Sequence, residues 1–168
     1  KIYVYDLGKL IGKRYIELED KAFNFHEFFR VWTGDIRKDN TTMPADAKIG
    51  DFVHSDDVRS FLNLITKEDE ESKYPFSSKE YRDLFKHSLW MVPGVKEAKA
   101  LKEMMEHHPI FGSGAFNIVN VAGSNDEEAK DAKNSVVSAI EKAGNDGYTI
   151  TLSCGKLTTG VTIKEWNA

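Results

Sequence analysis

The sequence predicts an α/β fold built on a parallel sheet. Three apolar, β-rich runs lie in the second half of the chain, at Ser88–Val92, Phe116–Val121 and Tyr148–Ser153. Between them lie two segments with apolar residues at helical spacing, Val95–His107 and the stretch behind Ser124. The turns are short. The order β-α-β-α-β with short turns leads to parallel strands joined by right-handed crossovers, with helices covering the sheet.

Each element has its own signal. Pro93-Gly94 ends the first run, and Ala98, Leu101, Met104 and Met105 repeat at helical spacing behind it. Ala122-Gly123 ends the second run. Ser124 then opens a capping box with Glu127 three residues on, and Ala132, Val136, Ile140 and Ala143 form the stripe of the helix. Gly144 and Gly147 close that helix. The first half, residues 1–86, is irregular. Lys1–Leu7 alternates like a short strand. Asn24 is placed to cap a helix carrying Phe25, Phe28, Phe29 and Trp32, and Gly34–Gly50 reads as a loop. Ser55 is expected to cap a helix with Val58, Phe61, Leu62 and Ile65 on one face. Thr66–Lys73 reads as a solvated charge run, and Ser78–Lys86 as a further short helix.

The chain has 168 residues, 40% of them hydrophobic and 30% charged, and a formal net charge of -4. This excludes a disordered chain, a collagen and a disulfide scaffold, and it disfavours a strongly basic nucleic-acid module. Gripping a backbone through loop amides and hydroxyls needs no net positive charge, so that mode stays open. No run approaches the ~20 apolar residues of a membrane span. One cysteine, Cys154, excludes an internal disulfide and a multi-cysteine zinc site, and it suits a reducing, cytoplasmic compartment. The start at Lys1 and the end at Ala168 predict an excerpt of a longer protein.

Ligands of open parallel sheets sit beyond the carboxyl ends of the strands. Three turns lie there: Pro93-Gly94, Ala122-Gly123-Ser124, and Cys154–Thr162. The third offers two glycines for close backbone approach, two adjacent threonine hydroxyls and the Lys156 charge, the chemistry of a phosphate-contacting loop; the plain alternative is a polar turn. It is not a Walker A loop, because Ile150 stands where the first glycine belongs and Leu157 follows the lysine. Glu97-Ala98-Lys99 and Glu128-Ala129-Lys130 echo half of a metal-dependent nuclease core, but both fall on helices and read as surface ion pairs. Neighbouring His107 and His108 point about 100° apart on a helix, so they read as a frayed helix end and not as a metal pair. The aromatics of Phe23–Trp32 could stack bases, but their helical spacing favours core packing.

The stretch His87–Asn167 resembles the second RecA-like domain of superfamily 2 helicases and translocases. Ser88–Ala98 is similar to helicase motif IV and its helix. Thr151–Thr162, with Leu157-Thr158-Thr159-Gly160-Val161-Thr162 and a nearby Trp166, resembles motif V, in the variant of restriction-enzyme-like helicases. The resemblance covers about half of the chain. It implies residues 87–168 as a RecA-like domain cut short before motif VI, and residues 1–86 as a lead-in or insertion. It implies DNA-backbone contacts at Thr158, Thr159, Gly160, Pro93 and Gly94, and a nucleotide-cleft role for Gly160 and Thr162. Thr162 stands where DEAD-box relatives carry a ribose-contacting Asp, and Cys154 where many relatives carry Thr. The resemblance further implies ATP and Mg²⁺ in an intact parent enzyme, with no cofactor for the fragment alone, whose sequence lacks Walker A. The implied partners are DNA, the first RecA-like domain of the same chain, and nuclease or methyltransferase domains. The alternative is a free-standing α/β binding or scaffold module that shares only the topology.

Overall fold

The computed structural model describes residues 24–68, 74–123, 128–155, 163, 164 and 166. They belong to two compact units, Lys1–Phe61 and Leu62–Ala168. The expected strand at Lys1–Leu7 lies outside the described residues. The units meet at Phe61/Leu62, and the sheet begins at His87.

In the first unit, Asn24 caps α1 (Phe25–Phe28), its Oδ1 accepting the Glu27 amide at 2.9 Å. The helix stops four residues short of Trp32 because the chain turns into pairing. Val31 forms an antiparallel bridge with Phe52, the Trp32 amide donates to the Asp51 carbonyl, and the Val53 amide to the Arg30 carbonyl, both at 2.8 Å. Phe28 and Phe29 meet edge to face at 4.8 Å, and Phe29 meets Phe52 at 5.9 Å. Both are buried, so these two rings are core and not a base-stacking surface. Inside the expected loop a one-turn helix forms, α2 (Ile36–Asp39). Asp35 caps it through the amides of Arg37 and Lys38, and Asn40 ends it in the left-handed region at φ 47°. The Asp39 carboxylate is buried but accepts from the Thr33 amide and hydroxyl at 2.8 and 2.7 Å. Burial opposes its ionisation; the Thr33 hydrogen bonds and the Arg30 charge outweigh that and hold the carboxyl below its usual range. The next helix, α3 (Ser55–Thr66), is capped one residue earlier than expected. The His54 carbonyl accepts the Val58 amide, and the Ser55 hydroxyl instead donates back to the Phe52 carbonyl at 2.6 Å.

The division between the units falls inside α3. In the second unit, Leu62 and Ile65 are buried, and so is Thr66, whose hydroxyl returns to the Leu62 carbonyl. The charge run therefore begins after Thr66, not at it. Ser78 caps α4 (Lys79–Leu84) through the Tyr81 amide. Then come β1 (His87–Met91), α5 (Val95–Glu106), β2 (Phe116–Asn120), α6 (Glu128–Ala143) and β3 (Tyr148–Ser153). All pairing is parallel, in the order β1-β3-β2. The strand latest in sequence thus lies in the middle.

The register sorts side chains onto two faces, because partners in a parallel pair point the same way and neighbours along a strand alternate. One face carries Trp90, Phe116, Ile118, Tyr148, Ile150 and Leu152. Phe76 and Phe111 pack onto it, with Phe111–Phe116 at 5.2 Å and Phe76–Trp90 at 5.6 Å. The other face carries His87, Leu89, Met91, Asn117, Val119, Thr149, Thr151 and Ser153. There α6 lays Ala132 and Val136 against Val119 and Val121, and Asn117 donates to the Ala139 carbonyl. With α6 on this hydroxyl-bearing face, α5 covers β2 and β3 on the aromatic one. Opposite exits for opposite directions of travel are what crossovers of one hand require.

His108 corrects an expectation. It is not a frayed end; it is buried and bonded at both ring nitrogens. Nδ1 accepts the amides of Ile110 and Phe111 at 3.2 and 3.4 Å, and Nε2–H donates to Asn63 at 3.1 Å. Burial pushes its pKa below the ordinary 6.5. The unfolded chain therefore takes up this proton more readily than the fold does. The stability His108 contributes is complete above the unfolded value and is lost as pH falls toward the lower folded one. Urea denaturation at pH of about 7.5 and 5.5 should show the wild type weakening more on acidification than His108→Gln; equal pH dependence would reject this role.

Thr151 is fully buried on the hydroxyl face between Leu89 and Val119, and its Oγ1 has no hydrogen-bond partner among the described residues. An unsatisfied buried hydroxyl costs about 1–3 kcal/mol. Thr151→Val keeps the shape and removes the cost, so it should raise the unfolding free energy by about 1 kcal/mol or more. A loss of stability in the same urea measurement would show that the hydroxyl is satisfied in solution.

Candidate functional site at the carboxyl ends of the strands

An open parallel sheet forms its ligand crevice where two adjacent strands send their chains to opposite faces, since the diverging connections leave a gap. Here that point lies between β1 and β3. From β1 the chain passes through Pro93-Gly94 into α5 on the aromatic face. From β3 it reaches the hydroxyl face, where Ile163 and Trp166 pack with the α6 cluster. The two strands stay joined to their last residues, the Val92 amide donating to the Ser153 carbonyl at 2.8 Å. Pro93-Gly94 and Cys154-Gly155 therefore follow the ends of two adjacent strands, where the rule places a ligand.

Pro93 and Gly94 are both half-buried, directly after the end of β1. Gly155 adopts φ 88°, a left-handed turn that glycine makes without strain, with open space where a side chain would stand. Cys154 is a partly exposed free thiol. Thr158, Thr159, Gly160 and Thr162, the residues the sequence ties most closely to phosphate and nucleotide, lie outside the described residues. The segments before and after them, β3 and Ile163, flank the crevice and the hydroxyl face.

Gly94 is the N-cap of α5 in extended conformation, and the end of the flexible Glu97 side chain lies where a Cβ would stand. Glu97, three residues into the helix, places its carboxylate near the positive end of the helix dipole. A carboxylate near a helix start is electrostatically favourable. This also accounts for Glu97 without a nuclease role. Lys99 shares its helix, and Glu128 opens α6. His107 donates from Nδ1 to the Glu103 carbonyl while His108 turns inward, so the pair does not converge. Among the described residues no cluster of His, Cys, Asp or Glu is disposed to hold a metal ion.

The structure also gathers a constellation that sequence spacing did not reveal. In the first unit Arg30 grips Glu27 with two nitrogens at 2.8 and 3.0 Å, and Glu27 meets His54 Nε2 at 2.7 Å across 27 residues. Burial resists ionisation of Glu27, but hydrogen bonds from Arg30 and His54 hold its carboxyl below the usual range. His54 also lines an open cleft of about 410 Å³ with Asp46, Asp51, Asp56, Asp57 and Arg59. Only a turn of defined geometry brings His54 back to α1, and no periodicity encodes it.

These features define an open parallel α/β unit with a crevice at its strand ends. Its similarities lie in one direction. Over 131 residues the chain is 29% identical to a Mycoplasma pneumoniae protein that carries the provisional name of a type II restriction enzyme and methyltransferase C-terminus. The match covers 77% of the chain, and the chain spans about 18% of that curated relative's length. At 131 residues it is longer than the segment 87–168, so it includes part of the first half as well. No family model and no solved structure matches the chain. No helix among the described residues is long and apolar enough to cross a membrane.

Gly94→Ala should evict the Glu97 carboxylate and cost about 0.3–1 kcal/mol of stability, the worth of a charge at a helix end. In a Glu97→Ala background the same change should cost almost nothing. Additive effects in thermal unfolding would mean that Glu97 does not cap the helix.

Proposed function

We propose that this chain is part of an ATP-dependent DNA helicase or translocase of a restriction-modification system, contributing the motif IV and motif V face of its second RecA-like domain. The observation that carries the reading is the strand order. With β3 between β1 and β2, the turn after the motif IV-like strand and the loop after the motif V-like strand emerge side by side at one crevice. In sequence these segments are some sixty residues apart, and a face that works on one ligand needs them adjacent. The similarity to a protein named for restriction and methylation supports the DNA-processing context.

In this reading the loop beyond Gly155 holds a DNA phosphate. The Thr158 and Thr159 hydroxyls donate to its oxygens, and Gly160 leaves the backbone bare for close approach. Gly160 and Thr162 border the nucleotide cleft that closes against the first RecA-like domain. ATP and Mg²⁺ belong to that assembled cleft, with the phosphate-cradling loop supplied from outside residues 1–168, and DNA is the polymer moved. Pro93 and Gly94 form the opposite wall. With the Glu97 carboxylate near the start of α5, the phosphate contacts fall on the β3 side. The first half, part of which falls within the match to the restriction-modification relative, is a lead-in to this domain or an insertion before it.

The chain of 168 residues alone should not turn over ATP. In the gene-encoded polypeptide, Thr158→Val and Thr159→Val should each reduce DNA-stimulated ATP hydrolysis at limiting DNA. A lost hydrogen bond to a charged group is worth about 1.5–3 kcal/mol, or roughly 10- to 150-fold in DNA affinity. The melting temperature should hardly move. Full DNA-stimulated turnover in both variants, or a gene-encoded polypeptide that neither hydrolyses ATP nor binds DNA, would reject the motor and favour a binding module.

A further inference from the structure

The first unit buries Phe28, Phe29, Val31, Trp32, Phe52 and Val58. Two of its isoleucines do the opposite. Ile36 is 58% exposed and Ile49 76%, although isoleucine is among the residue types most often found inside. They are not scattered singly. Ile36 opens α2, two residues after Gly34. The Ile49 side chain lies against Gly34, its Cδ1 2.8 Å from where a Cβ would stand. Gly34 thus ties the two together: its φ of 87° makes the turn, and its bare backbone gives Ile49 room.

The charges around this pair are sorted. Asp35 accepts the amides of Arg37 and Lys38 at 2.9 and 3.2 Å, and Asp51 the Lys48 amide at 2.8 Å. Asp39 is buried against Thr33. Asp46 and Asp51 line the cleft of His54, whose walls include neither isoleucine. The cations are not engaged in this way. Arg37 directly follows Ile36, with Lys38 next, and Lys48 directly precedes Ile49. All three are exposed, and among the described residues their charged ends have no hydrogen-bond or ion-pair partner. Lys38 acts on Asp39 only through space. Elsewhere in the unit Arg30 is paired with Glu27, and Arg59 with Asp56. Unpaired cations beside exposed apolar side chains suit a polymer that offers anionic phosphates next to apolar sugar and base surfaces.

We propose that Ile36-Arg37-Lys38 and Lys48-Ile49 form a duplex DNA contact in the first unit: the three cations sit on phosphates, and the isoleucines press into the minor groove between them. The inference rests on the reading of the chain as part of a DNA-processing protein and gives the first unit a task in it. The cations alone would take any polyanion; the isoleucines add a contact that isolated phosphate does not offer. The cleft carboxylates Asp46, Asp51, Asp56 and Asp57 repel the backbone, so the DNA lies along the isoleucines and not over the cleft.

Duplex binding by the gene-encoded polypeptide, followed by fluorescence anisotropy over a series of salt concentrations without ATP, tests this. Replacing Arg37, Lys38 and Lys48 together by Gln should flatten the slope of log affinity against log salt by about 0.9 per cation. Ile36→Ser with Ile49→Ser should weaken binding about tenfold and leave the slope unchanged. Both variants should melt with the wild type, because all of these side chains are exposed. A wild-type slope in the charge variant, or wild-type affinity in the isoleucine variant, overturns the proposal. A melting temperature several degrees lower in the isoleucine variant would show the pair to be covered in the protein and would equally overturn it. Unchanged DNA binding together with lost binding to phosphatidylserine vesicles would give the patch to a lipid surface instead. DNA-stimulated ATP hydrolysis is followed separately. Turnover with both variants binding DNA as the wild type does rejects the patch and keeps the motor; patch-dependent DNA binding without turnover rejects the motor and keeps the patch.

Discussion

Everything in the second unit depends on β3 being the middle strand. All six of its residues are buried, and it pairs along its whole length with β1 on one side and β2 on the other. A strand so enclosed must satisfy every backbone group by pairing, because no water reaches it. It must also meet both layers with side chains of the right kind. Ile150 and Leu152 enter the aromatic layer, where Tyr148 stacks on Phe116 at 4.9 Å. Thr149, Thr151 and Ser153 enter the layer under α6, and Thr149 bonds His87 of β1 at 2.9 Å. Tyr148 is also tied at its hydroxyl to Asp83, itself paired with Lys79, so the amino end of the strand is pinned to α4.

That central position also creates the crevice. A strand reached last but placed between the earlier two leaves its neighbours' connections on opposite sides. The gap at the carboxyl ends is a consequence of chain order and not of any one residue. Residues around it then refine what it can hold. The Glu97 carboxylate lies near the start of α5, and Gly155 turns through the left-handed region at φ 88°.

Much of the second unit was legible in the sequence because its signals are local. Alternation and flanking Pro93-Gly94, Ala122-Gly123 and Gly144 mark each element to within one or two residues, and they carry the parallel arrangement with them. Pro93 and Gly94 follow β1, whose end lies beside that of β3, as the parallel order predicts. Other features rest on contacts between distant residues. His108 reads as a helix end until Asn63, forty-five residues earlier, is brought beside it. Asn24 was recognisable as a cap, but the length of α1 is set by Val31 pairing with Phe52. Ser55 looks like a cap by type, yet its hydroxyl finds the Phe52 carbonyl first. The Glu27–His54 contact arises in the same way. Whether Gly94 is bare for a ligand or for Glu97 depends on one rotamer, which no spacing specifies.

Cys154 gives the molecule a practical property. It is the single thiol of the chain, it is partly exposed, and it stands at the carboxyl end of the central strand, beside the crevice. A maleimide dye or spin label would attach at one known position without any background cysteine to remove. The probe would report from the carboxyl end of the sheet while the buried layers on both sides of β3 stay untouched.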